Sequence, residues 1–387
     1  MINFSQMLLK TTFTLLFLLF LSVYSKKLSL KSNFDASCPA RCVCSKTTFK
    51  CTNLNQKGHE LFIHADPRVY PDMDTFEITG NNVGDISETS FFDHNDIRHV
   101  KLTSVDISNN KITAIGEETF IGFPSVENFN LAYNEIHSVG EHPLEYQTKL
   151  RVLNLTSSIS KTLPAKQKAD LIFNLFRTKE NTFTDLNHII LADNGLEYLH
   201  KDTFCVVEGL TRLNLENNLF TSFDFEANCL KSVVQINMRN NKIKTLAKEK
   251  WDNLAHINAL DFSKNPLECN CKLMSFIEFA NNETNLFTDQ GETQCASPDQ
   301  YKGTSIFNIS HFQCRQNSTS LSFFKILLLF LSIFLIASVY LMYRFRGARI
   351  LDRIPFNIGY SKLGSQNRDD YSVPFVREDR NNGPVFL

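Results

Sequence analysis

LNLENN, residues 213–218, alternates apolar and polar residues and then closes on asparagine. The same pattern, apolar-x-apolar-x-x-Asn, starts at seven other places: FEITGN at 76, VDISNN at 105, FNLAYN at 129, LNLTSS at 153, IILADN at 189, INMRNN at 236 and LDFSKN at 260. Only the copy at 153 departs from it, with Ser158 where the others carry asparagine. Successive copies begin 29, 24, 24, 36, 24, 23 and 24 residues apart. A further apolar residue stands three before each copy, as Leu210 does before Leu213. An apolar pair follows the asparagine, as Ile112 and Ile115 do.

A recurrence of this length and spacing is the leucine-rich repeat. The two apolar residues of each copy point into a shared core, and the residue between them points outward along a short strand. The asparagine is expected to be buried at the turn, where its amide serves backbone groups the coil leaves unpaired. Stacked copies predict an α/β-type leucine-rich-repeat solenoid, with a curved parallel sheet on its concave side. Phe120 and Phe204, each nine residues before its strand, fall on the convex side.

The ends of the chain set the compartment. Residues 1–25 read as a secretory signal: Lys10, then the apolar run TTFTLLFLLFLSV, then Val23 and Ser25 at the small-residue positions of a cleavage site. Ile326–Tyr343 is uncharged and mostly apolar, and at ~1.5 Å per residue it nearly crosses a hydrocarbon core of ~30 Å. Phe323 and Phe324 extend it, and Arg344, Arg346 and Arg349 follow at once. That order predicts one transmembrane helix over 323–343 in a single-pass type I protein of the plasma membrane, with its N-terminus outside the cell. All ten cysteines lie between 38 and 314, on the oxidising side, where disulfides persist. Zinc would want paired C-x2–4-C knuckles or matching histidines, which the spacing lacks.

A solenoid core is open to water at both ends and needs caps. Cys38, Cys42, Cys44 and Cys51 precede the first repeat; Cys269, Cys271, Cys295 and Cys314 follow the last. Cys205 and Cys229 take nearly the same place in adjacent repeats on the convex side. A fifth disulfide, Cys205–Cys229, is expected there, the alternative being two buried thiols that fill space. The organisation is then a signal peptide (1–25), an N-terminal cap (26–66), a first block of repeats (67–161), a polar insertion (162–183), a second block (184–264), a C-terminal cap (265–314), a linker (315–322), the span (323–343) and a cytoplasmic tail (344–387).

The insertion accounts for the 36-residue interval. KQKADLIFNLF, 166–176, fits a short amphipathic helix with Leu171, Ile172, Leu175 and Phe176 turned inward and lysine-rich ends in water. It is either a tolerated surface loop or a partner-binding element. The outward column of the sheet, Glu77, Asp106, Asn130, Asn154, Ile190, Asn214, Asn237 and Asp261, reads as solvated and lacks the aromatic and arginine anchors of protein-binding faces. Sequons stand at Asn154, Asn282, Asn308 and Asn317, candidates for N-glycosylation. A glycan at Asn154 would crowd the concave face.

With 40 basic and 41 acidic residues, the balance argues against nucleic acid as a partner. There is no H-E-x-x-H, no G-x-S-x-G, no phosphate-binding glycine loop and no aspartate-rich calcium loop, so no catalytic, cofactor or metal site is expected. In the tail, Tyr360 and Leu363 fit a Tyr-x-x-apolar sorting motif for an endocytic adaptor. Val385 and Leu387 fit a C-terminal ligand for a PDZ domain.

The capping cysteines resemble those of extracellular leucine-rich-repeat proteins. That resemblance implies pairing first to third and second to fourth: Cys38–Cys44, Cys42–Cys51, Cys269–Cys295 and Cys271–Cys314. FEITGN with its overlong repeat to VDISNN, the run IILADNGLEYL and TRLNLENN after a polar break, and NPLECNC with QCASPDQ resemble more narrowly the trophoblast glycoprotein family. The resemblance covers about residues 38 to 314. It implies a cell-surface glycoprotein that binds a protein ligand or co-receptor and inhibits Wnt/β-catenin signalling through a Wnt co-receptor in its own membrane. From the residues alone the reading stops at a membrane-anchored, protein-binding repeat glycoprotein. Cell adhesion across contacts is the second reading, and a co-receptor for microbial lipid is disfavoured by the polar column.

Overall fold

The computed structural model describes residues 38–58, 60–91, 97–179, 183–247, 257–310 and 319–345. The chain divides after Cys314 into two units, each considered by itself.

The first unit is built on one ten-stranded sheet whose strands follow chain order. It opens with an antiparallel pair, Val43–Cys44 against Thr48–Thr52, and every later pairing is parallel. Each repeat gives it one strand: Thr75–Thr79, Ser104–Asp106, Asn128–Asn130, Val152–Asn154, His188–Ile190, Arg212–Asn214, Gln235–Asn237 and Ala259–Asp261. The register never slips. Phe76 faces Val105, Val105 faces Phe129, and Leu153 faces Ile189 directly across the 36-residue interval. The insertion is therefore looped out of the sheet without disturbing it.

Two columns of apolar side chains run the length of this sheet, and each member is almost wholly buried. Burying one such side chain contributes ~1.5–3 kcal/mol, so the stack is the main source of cohesion. Behind the columns runs a phenylalanine spine. Phe120 meets Phe129 edge to face at 4.9 Å, Phe204 meets Phe225 at 5.7 Å, and Phe262 meets Phe276 of the C-terminal cap at 5.6 Å. This is where many of the 34 phenylalanines go.

The asparagines form an internal ladder. Asn134 Oδ1 accepts the N–H groups of Asn110 and Ile112, while its Nδ2 donates to the carbonyls of Ile107, Leu131 and Ala132. Asn194, Asn218, Asn241 and Asn265 repeat the arrangement. Each amide thus ties its own turn to the preceding repeat. The residue just before the asparagine is left-handed in every copy, from Gly80 (φ 73°) through Asn109 (φ 55°) and Asp193 (φ 60°) to Lys264 (φ 55°). Gly, Asn and Asp fit there at least cost. At Ser158 the ladder lapses. Its hydroxyl is fully buried without a hydrogen-bond partner, and the Ile136 N–H turns to the Ser158 backbone carbonyl.

The caps close the core as physical plugs. Phe49 stacks on Phe76 at 5.7 Å at one end. At the other, the helix Met274–Asn282 buries Phe276, Ile277 and Ala280 against the last repeat. In the second unit, Thr319–Phe345 is one helix; its Lys325–Arg344 stretch has a mean hydropathy of 2.5. It is long and apolar enough to cross a membrane, and starts earlier than the span expected over 323–343.

Candidate functional site

The concave column is half-buried and has a structural task that the solvated reading did not foresee. Each of its Asp and Asn members accepts, through Oδ1, the N–H two residues on: Asp106 from Ser108 at 2.9 Å, Asn130 from Ala132 at 3.1 Å, Asn214 from Glu216 at 2.9 Å and Asp261 from Ser263 at 2.9 Å. These are Asx turns, which steer the strand into its left-handed exit. Glu77, one methylene longer, and Ile190 lack that local bond. Asn154 Oδ1 accepts from both the N–H and the hydroxyl of Thr156, within its own sequon.

Ion pairs run across the sheet rather than out from it. Asp72 lies between Lys101 (2.6 Å) and Lys46 (2.9 Å), whose hydrogen bonds lower its pKa to about 2. Arg239 reaches Asp289 at 2.5 Å and Glu292 at 2.8 Å in the C-terminal cap, and the Asp289 hydrogen bond raises its pKa. Within the column itself, Glu77 pairs with Lys50 at 2.8 Å and Asp106 Oδ2 accepts from Asn130 Nδ2 at 3.0 Å.

The insertion is where the side chains depart most from the repeat. Its helix runs Ala165–Phe176 and packs beside the outer strand Ser138–Val139. Leu171, Ile172, Leu175 and Phe176 are buried, with Phe176 against Phe204 at 5.9 Å. The lysine-rich start is not uniformly wet, as the helical pattern had predicted. Lys166 is exposed, but Lys168 is 7 % exposed, and its Nζ donates to the Asn194 carbonyl at 2.8 Å and the Gly195 carbonyl at 3.3 Å. Burial lowers its pKa; Glu197 raises it and Lys161 lowers it further. A lysine's stem is apolar enough to lie in a core contact, provided its head meets acceptors, as here. Further on, Lys179 pairs with Glu117, and its N–H donates to Glu145 Oε2 at 2.7 Å. His200 Nε2 meets Asp170 Oδ1 at 2.8 Å, and the His200 ring lies 5.1 Å from that of Phe173. The insertion is thus fastened onto the repeats on both sides.

Beside its entry lies a cleft of about 420 Å³, lined by Lys111, Tyr133, Glu135, Ser157, Ser160 and Lys161 among others. Tyr133 occupies the left-handed position (φ 56°) and is 61 % exposed. The sequence reading passed over it. Its signal was present: align the motifs, and tyrosine stands where five of the eight copies carry Gly, Asn or Asp.

The other residues named from sequence fall as follows. The structure bonds Cys38 to Cys44, Cys42 to Cys51, Cys205 to Cys229 and Cys269 to Cys295, with Cα separations of 5.9, 4.5, 4.3 and 5.5 Å. Cys271 is also disulfide-bonded; Cys314 lies outside the described residues. Asn282 and Asn308 are exposed and border one depression of the C-terminal cap. Asn317, the signal segment, Tyr360, Leu363, Val385 and Leu387 lie outside the described residues. Among the described residues no group of three or more His, Cys, Asp or Glu could hold a metal ion.

Residues 100–158 match the family Leucine rich repeat. The CD180 antigen of Mus musculus is 24% identical over 344 residues, which cover 84% of this chain and 51% of that protein. The chain thus spans about half the length of this relative. Trophoblast glycoprotein of Mus musculus is 22% identical, over 70% of this chain and 66% of the relative. The crystal structure of human 5T4 (Wnt-activated inhibitory factor 1, trophoblast glycoprotein) superposes with a TM-score of 0.59 at 18% identity, covering 70% of this chain and 96% of that one. The chain carries the leucine-rich-repeat fold, and over 70% of its length it is similar to trophoblast glycoprotein.

Proposed function

We propose that this chain sits in the plasma membrane by its C-terminal apolar helix, repeats outward, and restrains Wnt/β-catenin signalling by acting on a co-receptor in the same membrane. The observation that carries this reading is the likeness in fold, at 18% identity, to the solved structure of human Wnt-activated inhibitory factor 1, of whose crystallised chain this one covers 96%. Arg344, Arg346 and Arg349 after the apolar stretch support the orientation. The local bonds that occupy the concave column's Asp and Asn side chains support a protein partner met on the flanks of the solenoid rather than in its hollow.

The test is a β-catenin reporter in cells expressing the chain, with and without added Wnt, beside a form lacking residues 344–387. Repression by both forms places the activity in the repeats or the helix. Repression lost with the tail assigns it to the Tyr360 motif or the C-terminal carboxylate. No repression despite normal surface display defeats the Wnt reading, and aggregation of beads coated with the protein would then favour adhesion.

A further inference from the structure

The cleft at the ladder gap carries side chains that the solenoid itself does not need. Tyr133 holds a backbone conformation that an aromatic L-residue adopts only at a cost, yet its side chain makes no ring contact and no hydrogen bond among the described residues. The repeat imposes the left-handed turn in every copy, but it does not call for an aromatic ring there, and the Tyr133 ring fills no part of the core. Lys111, in the same lining, is left-handed as well (φ 53°) and exposed. Lys161, at the entry to the insertion, also lines the cleft and is exposed. Neither lysine forms an ion pair or side-chain hydrogen bond among the described residues, unlike Lys46, Lys50, Lys101, Lys179 and Lys264, which all do. Lys161 lies close enough to Lys168 for their charges to repel, which adds to the positive field there. Glu135 is the one acidic residue of the lining, and the Ser157 hydroxyl offers a further donor.

We infer that this cleft is a docking site for an acidic turn of a partner protein, which lays its backbone on the Tyr133 ring and sets a carboxylate between Lys111 and Lys161. Two cations against one carboxylate leave a net charge near +1, which suits a single acidic side chain and falls short of what a sulfated glycan needs. An exposed tyrosine flanked by charged groups is also the composition of a binding hot spot. Left-handed Tyr133 fixes the direction of its Cα–Cβ bond, which carries the side chain out of the core. The inference stands apart from the Wnt reading, since it concerns which surface meets a partner, whatever signal results.

The full chain displayed on cells is stained with two fluorescent tetramers, one carrying a peptide of alternating aspartate and glycine, the other a heparin oligosaccharide. The acidic tetramer is expected to stain these cells above untransfected ones. Staining should fall at least threefold for Tyr133→Ala and for Lys111→Ala combined with Lys161→Ala, and hold for Tyr198→Ala, outside the cleft. Tyr133→Asn separates binding from folding: asparagine suits the left-handed position, so the thermal midpoint should rise while staining falls. Absence of acidic staining, equal staining of all variants, or a lowered midpoint for Tyr133→Asn overturns the inference. So does heparin staining that exceeds the peptide's and is lost with the same lysines, which would give the cleft to a glycan.

Discussion

The repeats before the insertion and those after it share an inner face and differ in the outer one. In the first block a second, three-stranded parallel sheet, Asp85–Ile86, Ala114–Ile115 and Ser138–Val139, backs the solenoid. In the second block no such strands recur among the described residues. A helix packed against Phe204 and a disulfide between adjacent repeats stand there instead. The asparagine ladder and the apolar columns run through both. The comparison teaches that the inner face fixes the architecture, while the outer face is free to vary so long as it fills the same space. It also locates the one fault in the ladder, Ser158, at the last copy before the change.

The largest expected effect tests whether the ladder carries equal weight on both sides of that fault. Asn218→Ala removes five hydrogen bonds and leaves the buried N–H groups of Asn194 and Leu196 without acceptors. A buried group left unsatisfied costs ~1–3 kcal/mol, so a loss of about 4 kcal/mol in urea unfolding is expected. Ser158→Ala removes a buried hydroxyl that has no partner, so it should cost nothing and gain up to about 1 kcal/mol. Similar losses in the two variants would break the comparison.

Next comes the helix that replaces the outer sheet. Phe176 is buried against Phe183 and Phe204, and truncating a buried phenylalanine costs ~3–5 kcal/mol. Phe176→Ala should lose about 3 kcal/mol. If the insertion is an attachment rather than part of the sheet, hydrogen exchange should quicken over residues 165–176 and leave Leu153 and Ile189 protected. Exchange that quickens along the whole sheet would show the helix to be integral. A smaller effect belongs to the disulfide: it closes 24 residues, and replacing Cys205 and Cys229 by alanine should cost about 2 kcal/mol, confined to the second block.

Sequence legibility divides along the same line. The motif at 213–218 and its copies carry the inner face in full, because burial of alternate residues and a buried amide leave few choices of residue type. The insertion helix was visible through Leu171, Ile172, Leu175 and Phe176 for the same reason. The polar column was misread as merely solvated, since Asn and Asp look alike in a water-facing row and in an Asx turn; only the bond to the N–H two residues on tells them apart. Lys168 was unreadable from its own segment. The carbonyls that receive it belong to Asn194 and Gly195, more than twenty residues away, brought near by the stacking of the second block. Tyr133 was legible only by comparison among copies.

Lys168 gives the smallest effect and the sharpest one, because its sign can be worked out. Burial lowers its pKa in the folded chain, so the unfolded chain holds the proton more tightly. Between the folded value and the ordinary value near 10.5, the unfolded state binds more protons, and stability therefore rises with pH through that window. Below the folded value, the full cost of the buried charge is present and constant. Lys168→Met keeps the stem and removes the charge. Near pH 7 it loses two bonds to carbonyls and gains relief from desolvation, a balance expected within about 1 kcal/mol. The measurement is the difference in unfolding free energy between the two proteins from pH 7 to 10.5, which cancels the other lysines and the tyrosines. The wild-type chain should gain on the variant as pH rises. A flat difference would mean that Lys168 is solvated in the folded chain and that the insertion's first turn stands off the second block; a difference that moves the other way would mean that the charge is held by acceptors stronger than the two carbonyls.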